Sequence, residues 1–152
     1  MKNKLNKSLT IASVQMPVSK KKAENLKIME NYLKHINKLF PNVDVVVFPE
    51  LSPTSIGSKP QDESEKIPGS LTSTFSSWSK KYNIWLIPGS IYELSNGKIY
   101  NSTPVFSPEG SLVGVYKKRY PWSPYEKTEP GNQPFVFKIK DFGTIGIMIC
   151  YD

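Results

Sequence analysis

Cysteine, histidine and arginine are almost missing from this chain of 152 residues, with Cys150, His35 and Arg119 as their sole representatives. One cysteine excludes an internal disulfide and removes the case for a secreted, disulfide-stapled scaffold. One histidine and one cysteine, far apart in sequence, do not make a zinc-ligand pattern. The scarcity of arginine bears on the net charge of +7. Arginine is the favoured fork for phosphate and base edges, and here the charge is carried by lysines, clustered only at 20–22, 80–81 and 117–118. Solvated lysine faces explain it better than a nucleic-acid partner. No apolar run approaches the length of a membrane span. The basic residues 1–8 precede only a brief alternating run, not a signal-peptide core, so the cytoplasm is the expected compartment.

What is present suits one globular domain. Seven Phe, eight Tyr and three Trp within 38% hydrophobic content are enough for a real core at this length. The expected division is a basic tail over 1–8 and a single domain over 9–152.

Residues 9–16 alternate and predict a strand, which Pro17 ends; Ser19 is the expected N-cap of the next element. Leu26, Met29, Leu33, Ile36 and Phe40 recur at spacings of three and four, predicting an amphipathic helix over 20–40. His35 lies beside that stripe and reads as a surface or helix-boundary residue. The β-branched run 43–48 predicts an interior strand, and a helix between two such strands means an α/β unit. Residues 51–69 read as loop, 70–82 as a second helix with Leu71, Phe75 and Trp78 facing inward, and 84–87 as a further buried strand. Asn96-Gly97 and Pro108-Glu109-Gly110 are turns between antiparallel strands. A last hairpin joins 135–139 to the apolar run 144–149, expected to be a buried strand that delivers Cys150. The fold class is therefore α/β with a mixed sheet.

Three polar residues fall at predicted strand ends: Glu50, Lys118 and Cys150. Open α/β sheets place chemistry there, although a capping acid at Glu50 and a small buried apolar residue at Cys150 are equally ordinary readings. Of Lys117 and Lys118, consecutive on a strand, one should face inward and the other out. A carboxylate of raised pKa can take a thiol proton, and an ammonium nearby can stabilise an oxyanion. Glu, Lys and Cys thus form an acyl-transfer set that needs no histidine, metal or cofactor.

These residues sit in three ordered blocks, Val46-Val-Phe-Pro-Glu50, Tyr116-Lys-Lys118 and Gly146-Ile-Met-Ile-Cys-Tyr-Asp152. Together they resemble the carbon–nitrogen hydrolases of the nitrilase superfamily. Asn25, Gly89-Ser-Ile-Tyr-Glu93 and Tyr100-Asn101 fit as well, so the resemblance covers about residues 9–152. It implies the N-terminal part of a nitrilase-type α-β-β-α sandwich, with Glu50 as general base, Lys118 as the lysine of the set and Cys150 as nucleophile. The loop Pro121–Gly131 is similar to that of the aliphatic amidase and formamidase branch, which makes Glu126 a second catalytic glutamate; on composition alone it is a surface acid. Ser123 and Tyr120 depart from that branch.

The resemblance implies hydrolysis of small aliphatic amides to acid and ammonia through a Cys150 thioester. The Tyr151 N–H would help bind the oxyanion, and Tyr120 and Trp122 would wall the pocket. It further implies a homo-oligomer when complete. Because family members continue well beyond the cysteine, the alternatives are a non-catalytic truncated fragment or interaction module of a nitrilase-like protein, its C-terminal half carried by a separate polypeptide. Nitrilase or N-carbamoyl amide hydrolase chemistry would use the same trio.

Overall fold

The computed structural model describes residues 8–152, so all but the last residue of the predicted basic tail lies outside the described residues. The elements run β1 (Ile11–Ser13), α1 (Lys22–Leu39), β2 (Val45–Val47), α2 (Pro60–Glu63), α3 (Ser70–Tyr82), β3 (Trp85–Ile87), β4 (Ile91–Ser95), β5 (Lys98–Phe106), β6 (Leu112–Lys117), β7 (Phe135–Ile139) and β8 (Gly143–Ile147).

A six-stranded mixed sheet forms the centre. β1, β2 and β3 are parallel neighbours, joined by helical crossovers. The long β5 then runs antiparallel to β3, β4 and β6, and the Asn96-Gly97 turn joins β4 to β5 with Ser95 opposite Lys98. Both turn residues have positive φ, 51° and 74°, as a tight hairpin of this kind requires. β7 and β8 make a separate antiparallel pair.

Alternation along the strands feeds two cores, one on each face of the large sheet. Val46, Leu86 and Phe106 join Met29 and Leu33 of α1 and Phe75 and Trp78 of α3. Their neighbours Val45, Ile87 and Val105 join Phe137 and Ile139 of β7 on the other face. Helices thus cover one face and the hairpin covers part of the other, a partial α-β-β-α arrangement. Gly114 in β6 makes room for the second contact, since a Cβ there would strike the Phe135 ring.

Local details depart from the sequence reading. The first helix starts at Lys22 with Lys21 as N-cap and no side-chain cap bond. Ser19 instead donates to Glu24 at 2.5 Å and accepts from the Lys21 N–H, which tightens the approach to the helix without capping it. The 51–69 segment contains the one-turn α2, begun by Pro60 at a position where its missing N–H costs nothing. The expected buried strand at 144–149 is largely exposed: Met148 is 74% accessible, and β8 stops at Ile147. Among the described residues β8 pairs with β7 alone, so only Ile145 and Ile147, partly buried on the second core, and the buried Ile149 are sheltered.

Phe75 is fully buried and meets both Trp78 and Phe106, with ring centroids 5.7 and 6.2 Å away. Phe75→Ala is expected to cost about 3–5 kcal/mol in chemical denaturation. Val136→Ala, at a 61% exposed position on β7, should change stability by less than about 0.5 kcal/mol. Equal losses at the two positions would contradict the division into cores described above.

Candidate functional site

Lys118 follows β6 directly, and its N–H donates to the Asn101 carbonyl on β5 at 2.8 Å. Strand alternation sends Lys117 to one face and Lys118 to the other. Lys117 stays partly exposed, paired with Glu93 at 3.3 Å and lying over the Tyr100 ring at 4.0 Å. Lys118 is 1% exposed, and its Nζ reaches Glu50 Oε1 and Glu126 Oε2, both at 2.7 Å.

Glu50 stands just after β2, in a turn fixed by two neighbours. The Leu51 N–H donates to Ser90 Oγ at 3.0 Å, and Ser52 Oγ donates to the Pro49 carbonyl. Gly89 (φ +76°) allows that turn to come close, because a Cβ there would collide with the Pro49 carbonyl oxygen. Glu126 arrives from the loop after β6. Its own carboxylate accepts from the Trp122 N–H at 3.1 Å and from Thr128 Oγ1 at 3.2 Å, folding the loop around it.

Asn101 completes the cluster. Its Nδ2 donates to Glu50 Oε1 at 2.8 Å and to Glu126 Oε1 at 2.7 Å, so one buried amide bridges two like charges. Sequence reasoning placed Asn101 among the family-like residues but gave it no role; no pattern of spacing announces an amide between two carboxylates. Tyr92, within the family-like Gly89–Glu93 stretch, was likewise given no role. Half-buried on β4, its phenol pKa is raised by burial and then by the negative charges of Glu126 and Glu50, which places it beside the cluster.

Burial favours the neutral form of both Lys118 and Glu126, and their partners oppose it. For Lys118 the hydrogen bonds and charges of Glu126 and Glu50 outweigh burial, leaving the ammonium pKa raised. For Glu126 the hydrogen bonds from Lys118, Asn101 and the Trp122 N–H outweigh burial, and its pKa falls below the usual value. Among the described residues, no group of three or more His, Cys, Asp and Glu side chains could hold a metal ion. His35 is on α1, its Nδ1 against the Asn31 carbonyl.

Of the remaining candidates, Cys150 reaches the edge of the cluster through a hydrogen bond with Glu50, and the three aromatic residues are exposed. Tyr120, Trp122 and Tyr151 are 54%, 53% and 65% exposed. Trp122 packs on Tyr125 at 4.7 Å, and Tyr120 lies beside the Arg119 guanidinium. Cys150 comes after β8 in a turn at φ 46°, an uncommon backbone state for a residue with a Cβ, and it is exposed.

A profile of the carbon-nitrogen hydrolase family matches residues 10–152. The chain belongs to the carbon-nitrogen hydrolase family. It is 34% identical to the omega-amidase NIT2 of Danio rerio over 154 aligned residues, covering 93% of this chain and 54% of that protein. The human omega-amidase NIT2 is 30% identical, with 95% and 55% covered. Among solved structures, Saccharomyces cerevisiae Nit3, a member of branch 10 of the nitrilase superfamily, superposes with a TM-score of 0.82 at 26% identity, covering 94% of this chain and 55% of that one. A carbon-nitrogen hydrolase from Helicobacter pylori G27 gives a TM-score of 0.82 at 29% identity, with 94% and 51% covered. The chain therefore spans about half the length of the curated relatives it matches. Among the described residues no helix is long and apolar enough to cross a membrane.

Family membership does not rescue the expected reaction, and the exposed Cys150 overturns it. Amide cleavage through a Cys150 thioester needs a sheltered thiolate. This cysteine is exposed, and partial desolvation followed by the charge and hydrogen bond of Glu50 pushes its thiol pKa up. Lys118 would favour the thiolate, but its ammonium is already committed to two carboxylates.

The charge cluster predicts a specific pH dependence. A carboxylate whose folded pKa is depressed adds stability above its unfolded value, and that stability is lost as pH falls through the folded pKa. Glu126→Gln should therefore destabilise the chain at pH 7, and the difference from wild type should shrink as pH drops below about 4.5. Urea titrations across pH 3–7 measure it; a gap that widens on acidification would refute the assigned sign. Lys118→Met, which leaves two carboxylates without their cation, should cost about 3–5 kcal/mol at pH 7.

Proposed function

We propose that this chain is a non-catalytic interaction module of a nitrilase-like protein, folded around an intact Glu50–Lys118–Glu126 cluster and docking a complementary polypeptide segment. The observation that carries this reading is the exposed Cys150, its thiol pKa raised, beside a cluster whose charges are paired with one another. A site whose charges are satisfied internally and whose cysteine is exposed has no sheltered nucleophile to offer a substrate.

The docking half of the reading rests on apolar surface. A cleft of about 270 Å³ lies between the large sheet and β8, lined by Val47, Ile87, Ile145, Ile147 and Met148, with Glu50 and Cys150 also on its wall. Ile11, Val136 and Tyr151 add further exposed apolar area, at 53%, 61% and 65%. Apolar patches of this kind mark interaction sites. The occupant we assign is a polypeptide of the sort that makes up the remaining length of the relatives. In that assembly Glu50, Lys118 and Glu126 would face the covered side of the cleft, and the assembled particle would be a homo-oligomer.

The finer kinship, to the aliphatic amidase and formamidase branch, is supported by Glu126 and its Pro121-Trp122 loop, which folds through the Trp122 N–H onto that carboxylate. Omega-amidase is the activity named for the NIT2 relatives.

The chain by itself should release no ammonia from formamide, acetamide or propionamide, nor from an aliphatic nitrile or an N-carbamoyl amino acid. Light scattering should show self-association, relieved when a polypeptide matching the remaining length of the relatives is co-expressed. A monodisperse chain of 17.2 kDa that turns over any of these compounds would sink the proposal.

A further inference from the structure

The carboxylate of Asp152 links the end of β6 to the turn after β8. Its Oδ1 accepts from the Arg119 and Tyr120 N–H groups at 3.0 and 2.9 Å, in the loop that begins with Lys118. Its Oδ2 accepts from Tyr116 Oη on β6 at 2.8 Å and from the Ile149 N–H at 2.9 Å, the residue before Cys150. The Asp152 N–H closes the same turn onto the Ile149 carbonyl at 3.0 Å. One oxygen thus holds the exit of the large sheet, and the other holds both that strand and the exit of the small one.

We infer that Asp152 is a positioning residue: it pins the Cys150 turn to the strand end carrying Lys118, and so sets the place of the sulfur beside Glu50. Beside the hydrogen bond between Cys150 and Glu50, these are the described hydrogen bonds that tie the turn to the large sheet. β8 ends at Ile147 and has β7 alone as strand partner, so the backbone ladder does not reach Cys150. The Cys150 turn also has positive φ, a state that needs support from its surroundings. This inference goes beyond the docking reading and does not rest on it, because it concerns bonds within the chain.

The electrostatics agree with the geometry. Burial would raise the Asp152 pKa, but the four donors outweigh it and keep the group ionised. Burial, then the bond to Asp152, pushes Tyr116 up to about 12. The groups that act most on the Cys150 thiol are Glu50, Lys118 and Glu126. Arg119 faces Asp152 through its backbone and Tyr116 through charge. A change in the thiol on removing Asp152 therefore reports displacement of the turn more than loss of a neighbouring charge.

The test is the pH profile of Cys150 alkylation by iodoacetamide, measured on the full chain beside an ultraviolet titration of Tyr116. In the unaltered chain the alkylation midpoint should lie above the ordinary thiol value of about 8.5. In Asp152→Ala it should fall toward that value, with Tyr116 titrating below about 12. Asp152→Asn keeps one accepting oxygen and should give an intermediate midpoint. If Asp152→Ala lowers the Tyr116 titration while the alkylation midpoint stays put, the tie exists but does not place the sulfur, and the inference fails. Unfolding of both variants by circular dichroism overturns it too, since a role confined to one turn cannot hold the whole domain.

Discussion

The arrangement depends on burying one ammonium between two carboxylates. Lys118 is 1% exposed, and a charge that deep is tolerated only with partners and hydrogen bonds in place. Glu50, Glu126 and the Asn101 amide supply them, and each comes from a different segment: the end of β2, the loop after β6, and β5. The cluster is therefore a junction. Its requirement for simultaneous placement explains why the surrounding turns are so constrained, with Gly89 against Pro49, and Trp122 folded back onto Glu126.

The same junction bears on the Cys150 thiol. A cation that activates a thiol must have field to spare for it. Here two carboxylates at 2.7 Å neutralise the ammonium, and the nearest influence of opposite effect, Glu50, disfavours a second negative charge beside it. Proximity of the three residue types is thus insufficient; what matters is which of them are already paired and whether the sulfur is sheltered.

Much of this was legible in the sequence, for identifiable reasons. The helix over Ser70–Tyr82 follows from Leu71, Phe75 and Trp78 on one face, and the Asn96-Gly97 hairpin from turn chemistry. The opposite facing of Lys117 and Lys118 follows from the period of a strand. Those signals are local. The failures came where a residue's environment is set by segments distant in sequence. The 144–149 run has the composition of an interior strand, but burial needs neighbours on both sides, and composition cannot supply them. Asn101 escaped a role because its two partners lie 51 and 25 residues away.

The two sheets are also unequally secured, and this bears on the docking surface. The large sheet has helices on one face and apolar side chains alternating onto both. The β7–β8 pair is held toward its turn by Phe137 and Ile139, where Phe137 stacks on Trp85 at 5.3 Å, and Phe135 lies opposite Ile147 at the open end. Toward the other end, Ile147 and Met148 line a cleft instead of a packed core. There the polar fastenings among the described residues are the Asp152 carboxylate, on the far side of Cys150, and the hydrogen bond between Cys150 and Glu50. A segment entering the cleft would therefore find a wall anchored at both ends and apolar between them. Such a wall presents surface without collapsing onto the opposite sheet, because its exit is held by directional hydrogen bonds whose lengths do not depend on filling the gap.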